Sequence, residues 1–197
     1  MKVVLASSNA GKIKELQNML VDLNLTIIPQ ATLQVSDAAE TGLTFVENAL
    51  LKARHACEQT GLPALADDSG LTVAALKGAP GIYSARYAGE HGDSQANITK
   101  LLDVMRDVPL SERQAAYYCV LVFMTHAQDP APIICEGSWR GEILTAPQGT
   151  MGFGYDPIFY LPAAHKTVAE LPLALKNQLS HRGHALRKLL KKLSQKI

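Results

Sequence analysis

The sequence predicts an α/β fold with a mixed β-sheet and flanking helices, on three observations. The chain opens as strand, polar loop and helix; a capped helix then leads into a second core strand; and two apolar stretches in the second half flank a turn, as in an antiparallel hairpin.

Val3 to Ala6 forms a short buried strand, and Ile13, Leu16, Leu20 and Leu23 recur behind it at helical spacing. Thr26 to Pro29 gives a second strand. Thr44-Phe45-Val46-Glu47 has the Thr-x-x-Glu form of a capping box, with Val46, Ala49, Leu50, Ala53 and Cys57 on one face, which predicts a helix over 45–60. Gly61-Leu62-Pro63 stops that helix. Ala64-Leu65-Ala66 is a buried strand that ends at the carboxylates of Asp67-Asp68-Ser69-Gly70. Residues 78–92, rich in Gly, Pro, Tyr and Ser, read as a long loop, and Ile98, Leu101, Leu102 and Met105 mark a helix closed by Pro109. Ala115 to Met124 and Pro132 to Ser138 are strands joined at Gln128-Asp129-Pro130. A last helix aligns Leu186, Leu189, Leu190, Leu193 and Ile197, and residues 182–197 hold six basic and no acidic residues.

Composition excludes several classes. A chain of 197 residues can bury on the order of 70% of its surface, enough for a core without a metal or disulfide staple. Its 47% apolar and 19% charged content is that of a globular chain, with no repeat or linker, so residues 1–197 read as one unit with two lobes as the upper limit. Nineteen basic and 18 acidic residues leave +1, no global field for nucleic acid or an acidic membrane. The apolar run Cys119 to Met124 is far shorter than the ~20 residues of a membrane helix, and Val3 to Ala6 is too short for a signal peptide. Cys57, Cys119 and Cys135 are odd in number and set in apolar surroundings, which predicts buried thiols and a cytoplasmic protein.

Five stretches carry candidate chemistry, each with a plainer alternative. Ser7-Ser8-Asn9-Ala10-Gly11-Lys12 runs from strand into helix, where unpaired N–H groups, the helix dipole and the Lys12 charge favour an anion; an Asn9 cap before a solvated lysine is the alternative. It lacks Walker A spacing, which argues against a kinase or GTPase. In Asp67-Asp68, adjacent strand residues face opposite sides, so one carboxylate can meet a magnesium ion, with Glu40 as a second ligand; capping of a turn is the alternative. Asn48 and Lys52 share a helix face, either turned to a cleft or solvated. Gly149 to Pro157 brackets Phe153, Gly154, Tyr155 and Asp156, so a base could stack on Phe153 or Tyr155 while Asp156 accepts from a keto-purine ring N–H; a glycine turn with core aromatics is the alternative. Ser180 can cap the last helix, from whose first turn His181 and Arg182 project, Arg182 as a donor to phosphate or a 6-keto oxygen. No Gly-x-Ser-x-Gly elbow occurs, which argues against a serine hydrolase.

Taken together, Ser7-Ser8-Asn9-x-x-Lys12, Asp67-Asp68-Ser69-Gly70-Leu71, the run Pro80 to Tyr87, Phe153-Gly154-Tyr155-Asp156 and Ser180-His181-Arg182 resemble the inosine triphosphate pyrophosphatase family from Val3 to about Leu190. The resemblance implies a long central mixed sheet, two lobes enclosing a substrate cleft, a homodimer, and magnesium-dependent hydrolysis of dITP, ITP and XTP to monophosphate and pyrophosphate. It implies that Ser7, Ser8, Asn9, Ala10, Gly11 and Lys12 hold phosphates, and that Asp68 binds magnesium with Glu40 and accepts a proton. Ser69 then touches substrate, Lys52 and Lys176 steady the polyanion or base, and Phe153, Gly154, Tyr155, Asp156, His181 and Arg182 form the base pocket. Ser7 stands where threonine is frequent in the family and Met151 where a glycine is expected. The rival reading is a non-catalytic nucleotide- or RNA-binding module that uses the basic terminal helix.

Overall fold

The computed structural model describes residues 1–20 and 25–196; the expected helix positions Leu23 and Ile197 lie outside them. In chain order the elements are β1 (Lys2–Ala6), α1 (Ala10–Leu20), β2 (Thr26–Pro29), α2 (Phe45–Thr60), β3 (Ala64–Val73), α3 (Ser94–Val104), β4 (Gln114–Met124), β5 (Ile133–Ile143), β6 (Phe159–Leu161), β7 (Lys166–Thr167), α4 (Leu173–Leu179) and α5 (His181–Lys196). The sheet order is β2-β1-β3-β4-β5-β6-β7. Parallel pairing of β1 with β2 and β3, and antiparallel pairing of β6 with β5 and β7, make it mixed, as the sequence predicts. No helix among the described residues is long and apolar enough to cross a membrane.

The chain divides into two compact units. The first comprises 1–68, 119–137 and 181–197. Val3 to Ala6 is apolar without alternation because β1 lies between two parallel neighbours and is buried from Val3 onward. Its core joins Leu5, Leu16, Leu65, Leu121, Phe123, Leu186 and Leu189. The α2 cap forms as predicted: the Thr44 hydroxyl accepts from Glu47 N–H, and the Glu47 carboxylate accepts from Leu43 N–H and the Thr44 hydroxyl. On β5, a Cβ at Gly137 would meet His181 O at 2.0 Å and Ala185 N at 2.6 Å, so glycine is what lets the first turn of α5 rest on the strand.

The second unit comprises 69–118 and 138–180, with a core of Leu71, Leu101, Tyr117, Trp139, Tyr155 and Phe159 among others. The predicted loop over 78–92 is more ordered than the sequence suggests. It turns at a cis Ala79–Pro80 bond, and Gly81–Arg86 forms a short helix whose Ser84 hydroxyl accepts from Leu71 N–H at 2.8 Å. The three cysteines are buried and unlinked.

Two strand boundaries need correction. β3 does not stop at Ala66; it continues through both aspartates to Val73, because cations hold each carboxylate and remove the cost of placing it in a central strand. β5 runs on to Ile143 with alternating burial, not to Ser138.

Candidate functional site

In the first unit, β3 sends its two carboxylates to opposite faces, as strand geometry requires. Asp67 faces α1 and α5. Its Oδ1 lies 2.8 Å from Lys12 Nζ and its Oδ2 accepts from Arg182 Nε at 2.8 Å and from Cys119 Sγ at 3.2 Å. Arg182 Nη1 reaches Glu15 Oε2 at 2.5 Å. Lys12, Asp67, Arg182 and Glu15 thus form a buried chain of alternating charge. Burial by itself would raise the Asp67 carboxyl, but the charges of Arg182 and Lys12 outweigh it and hold that group well below its ordinary value. For the Cys119 thiol, burial and then the Asp67 charge act together and push it well up.

Asp68 faces α2. Its Oδ1 lies 2.7 Å from Lys52 Nζ, which also sits 3.0 Å from Glu40 Oε1, while Asp68 Oδ2 is buried with no hydrogen-bond partner. Burial raises the Asp68 carboxyl, and the nearby Lys52 and Lys12 charges only partly reverse this. Burial opposes the charge on Lys52, yet Asp68 and Glu40 outweigh it and leave the ammonium more firmly protonated than usual.

Asn9 does cap α1, its Oδ1 accepting from Lys12 N–H at 3.0 Å, and Ser7 Oγ accepts from Asn9 N–H. The lysine after that cap is not solvated, since it is ion-paired to Asp67. Ser7 is buried and Ser8 exposed; Ala10 and Gly11 form the first turn of α1. The Asn48–Lys52 face of α2 points inward: Asn48 is fully buried and its Oδ1 accepts from Gly42 N–H, which ties the Glu40 loop to the helix.

In the second unit, Phe153, Asp156 and Lys176 come together. Phe153 N–H and Lys176 Nζ, at 3.0 and 2.6 Å, both donate to Asp156 Oδ2, and the Tyr117 hydroxyl donates to Oδ1 at 3.0 Å. The Lys176 ammonium lies 4.5 Å from the Phe153 ring centroid. Gly152, at φ 82°, and Gly154, at φ 63°, turn the loop around this carboxylate. Ser69 lies in β3, half-buried.

Three expectations change. Asp156 is 2% exposed and both its oxygens hold protein donors, so it organises the loop and does not wait for a ring N–H. Tyr155 is not a stacking surface: it is buried in the core with its hydroxyl on Ser84 O at 2.9 Å, and burial raises its ionisation. His181 and Arg182 do not project from α5 but are buried, Arg182 on two carboxylates; Ser180, in extended conformation, stands between the end of α4 and the start of α5. Glu15 and Tyr117 are partners that sequence reasoning missed. Glu15 follows Lys12 by three positions, which was the available signal; Tyr117 sits in an apolar strand and gave none.

The basic terminal helix is largely committed to the fold. Lys188 and Lys192 donate to Glu136 O and Ile134 O of β5, a stretch that β6 leaves uncovered, and Arg182 is buried on two carboxylates, so at least these three basic residues are engaged.

Similarity to other proteins extends over nearly the whole chain. The dITP/XTP pyrophosphatase of Shigella flexneri is 59% identical over 189 residues, 96% of each chain, and that of Vibrio cholerae 56% over 194 residues, 98% of this chain and 97% of that one. The solved HAM1 protein of Coxiella burnetii superposes with a TM-score of 0.91 at 52% identity over 99% of both chains, and the Staphylococcus aureus Ham1 protein with 0.88 at 40% over the whole of both. With the Ham1 family model also matching residues 3–192, the chain belongs to the Ham1 family.

Proposed function

We propose that this chain is a dITP/XTP pyrophosphatase that hydrolyses dITP, ITP and XTP to the monophosphate and pyrophosphate and so cleanses the nucleotide pool. The observation that carries the reading is Asp68, a buried carboxylate with one oxygen on a lysine and the other unpartnered, next in sequence to the aspartate that anchors the anion-loop lysine. A carboxylate raised by burial is a stronger base than a solvated one.

The donor set fits magnesium, which favours one or two carboxylates completed by substrate phosphates: Glu40 and Asp68 already share one cation, and Asp68 Oδ2 is open. When bound, magnesium supplies charge neutralisation at the phosphates. Asp68 takes a proton from the water that attacks the α-phosphorus, and pyrophosphate leaves. Lys12 and the N–H groups of residues 7–11 hold the phosphates, with Lys12 and Lys52 balancing the leaving charge. Asp67 and Glu15 fix Lys12 and Arg182, making these positioning residues. Ser69 contacts the substrate beside Asp68. Phe153 stacks on the base, while Lys176 and His181 read its polar edge and Asp156 holds the loop. We expect a cytoplasmic homodimer.

The test is 31P NMR of ITP turnover with magnesium and with EDTA. Inosine monophosphate plus pyrophosphate, formed only with magnesium, is the expected result; inosine diphosphate plus phosphate, or turnover in EDTA, defeats the reading.

A further inference from the structure

The ammonium of Lys52 stands where a divalent cation would be held, 2.7 Å from Asp68 Oδ1 and 3.0 Å from Glu40 Oε1. All three groups are fixed by the fold. Asp68 lies in a central strand, Lys52 is one turn beyond Asn48 on α2, and the Glu40 loop is tied to that helix where Gly42 N–H donates to Asn48 Oδ1 at 2.9 Å. A Cβ at Gly42 would lie 2.8 Å from that Oδ1, so the loop is pressed against the helix. The Lys52 side chain is 13% exposed, so water screens its charge little. Among the described residues no group of three or more His, Cys, Asp or Glu gathers for a metal. A free dication would therefore meet two carboxylates that already share a cation.

Resting on the pyrophosphatase reading, we propose that Lys52 is a resident counter-ion that keeps free divalent metal off Asp68 and Glu40 until a nucleotide arrives. Two carboxylates balance one ammonium to within a single charge; adding a dication without an anion would leave net positive charge in a buried site. A polyphosphate changes that sum, because it brings the missing negative charge and a new partner for the ammonium. Lys52 then transfers from the carboxylates to phosphate oxygens as metal and nucleotide enter together. Metal occupancy is thereby tied to the presence of substrate.

The experiment titrates Mn2+ alone, without nucleotide, into the full-length chain and reads the unbound ion by electron paramagnetic resonance. Lys52→Met keeps most of the aliphatic stem and removes the charge. Loss of a unit charge a few ångströms from a dication should tighten Mn2+ binding by about ten- to a hundredfold over wild type. Adding Asp68→Asn should return the affinity to the wild-type level or below. Equal affinities for wild type and a folded Lys52→Met variant overturn the proposal, as does a gain that survives Asp68→Asn, because the ion then lies elsewhere. If Lys52→Met does not fold, wild-type crystals soaked in Mn2+ decide: no anomalous peak between the carboxylates supports the proposal, and a peak there with Lys52 still on both overturns it. Pyrophosphate release by wild type is measured alongside. An active enzyme whose Mn2+ affinity ignores Lys52 defeats this inference alone, whereas an inactive wild type defeats the pyrophosphatase reading and this inference with it.

Discussion

Asp67→Asn removes one charge from the centre of the buried chain Lys12–Asp67–Arg182–Glu15 without changing side-chain volume. The chain then passes from neutral to one excess positive charge. Lys12, partly exposed, can recover some hydration, but Arg182 keeps only Glu15 as its carboxylate partner among those contacts. Removing one member of a buried ion pair costs about 3–5 kcal/mol, a large share of the 5–15 kcal/mol that typically separates folded from unfolded chains. At a urea slope of roughly 2 kcal/mol per molar, the midpoint followed by far-UV circular dichroism should fall by about 1.5–2.5 M. The pH dependence gives a second check. The folded Asp67 carboxyl titrates well below its ordinary 3.8, so its stabilisation is complete above that value and is lost as pH falls through the lower, folded one. The difference between wild type and variant should therefore stay constant from pH 8 to about 5 and shrink only below 3.8. A loss under about 1 kcal/mol at pH 7, or a difference that fades near pH 6, would refute the buried-bridge account.

Other expectations follow from the same packing. Gly137→Ala sets a Cβ against the backbone of His181 and Ala185, so α5 must move; a loss of about 1–3 kcal/mol and a fall in kcat/KM are expected, and a wild-type melting temperature would contradict the close approach. Lys176→Met leaves the buried Asp156 without its cation, so it should lower thermal stability and raise KM for ITP more than it lowers kcat. Adding Asp156→Asn should restore most of the stability, and a double variant no more stable than the single one argues against the pair.

Much of the fold was legible because local chemistry and tertiary context agree. The capping box at Thr44 and Glu47 fixed the start of α2, and the unalternating Val3 to Ala6 marked a strand covered on both sides. The ends of β3 and β5 were missed because they depend on partners remote in sequence: a strand reads as broken at two aspartates unless Lys12, Arg182 and Lys52 are known to meet them. The short β6 and β7 and the helix α4 carry too little periodicity to announce themselves. In the candidate site, the opposed faces of Asp67 and Asp68 follow from strand geometry alone. The inward turn of Asn48 and Lys52 does not, since spacing tells which residues share a face and not what covers it. The sequence offers Arg182 and Asp156 as donor and acceptor for a base because charge and hydrogen-bonding capacity are visible in it, whereas the Glu15 and Tyr117 groups that engage them are not.

The most direct test of the account is the initial rate of pyrophosphate release from ITP, with magnesium, by Asp68→Asn beside wild type, with ATP as a control substrate. The account predicts that the variant keeps the wild-type circular dichroism spectrum and loses turnover by several orders of magnitude, while wild type strongly prefers ITP. Near-normal turnover by a folded Asp68→Asn protein would contradict it.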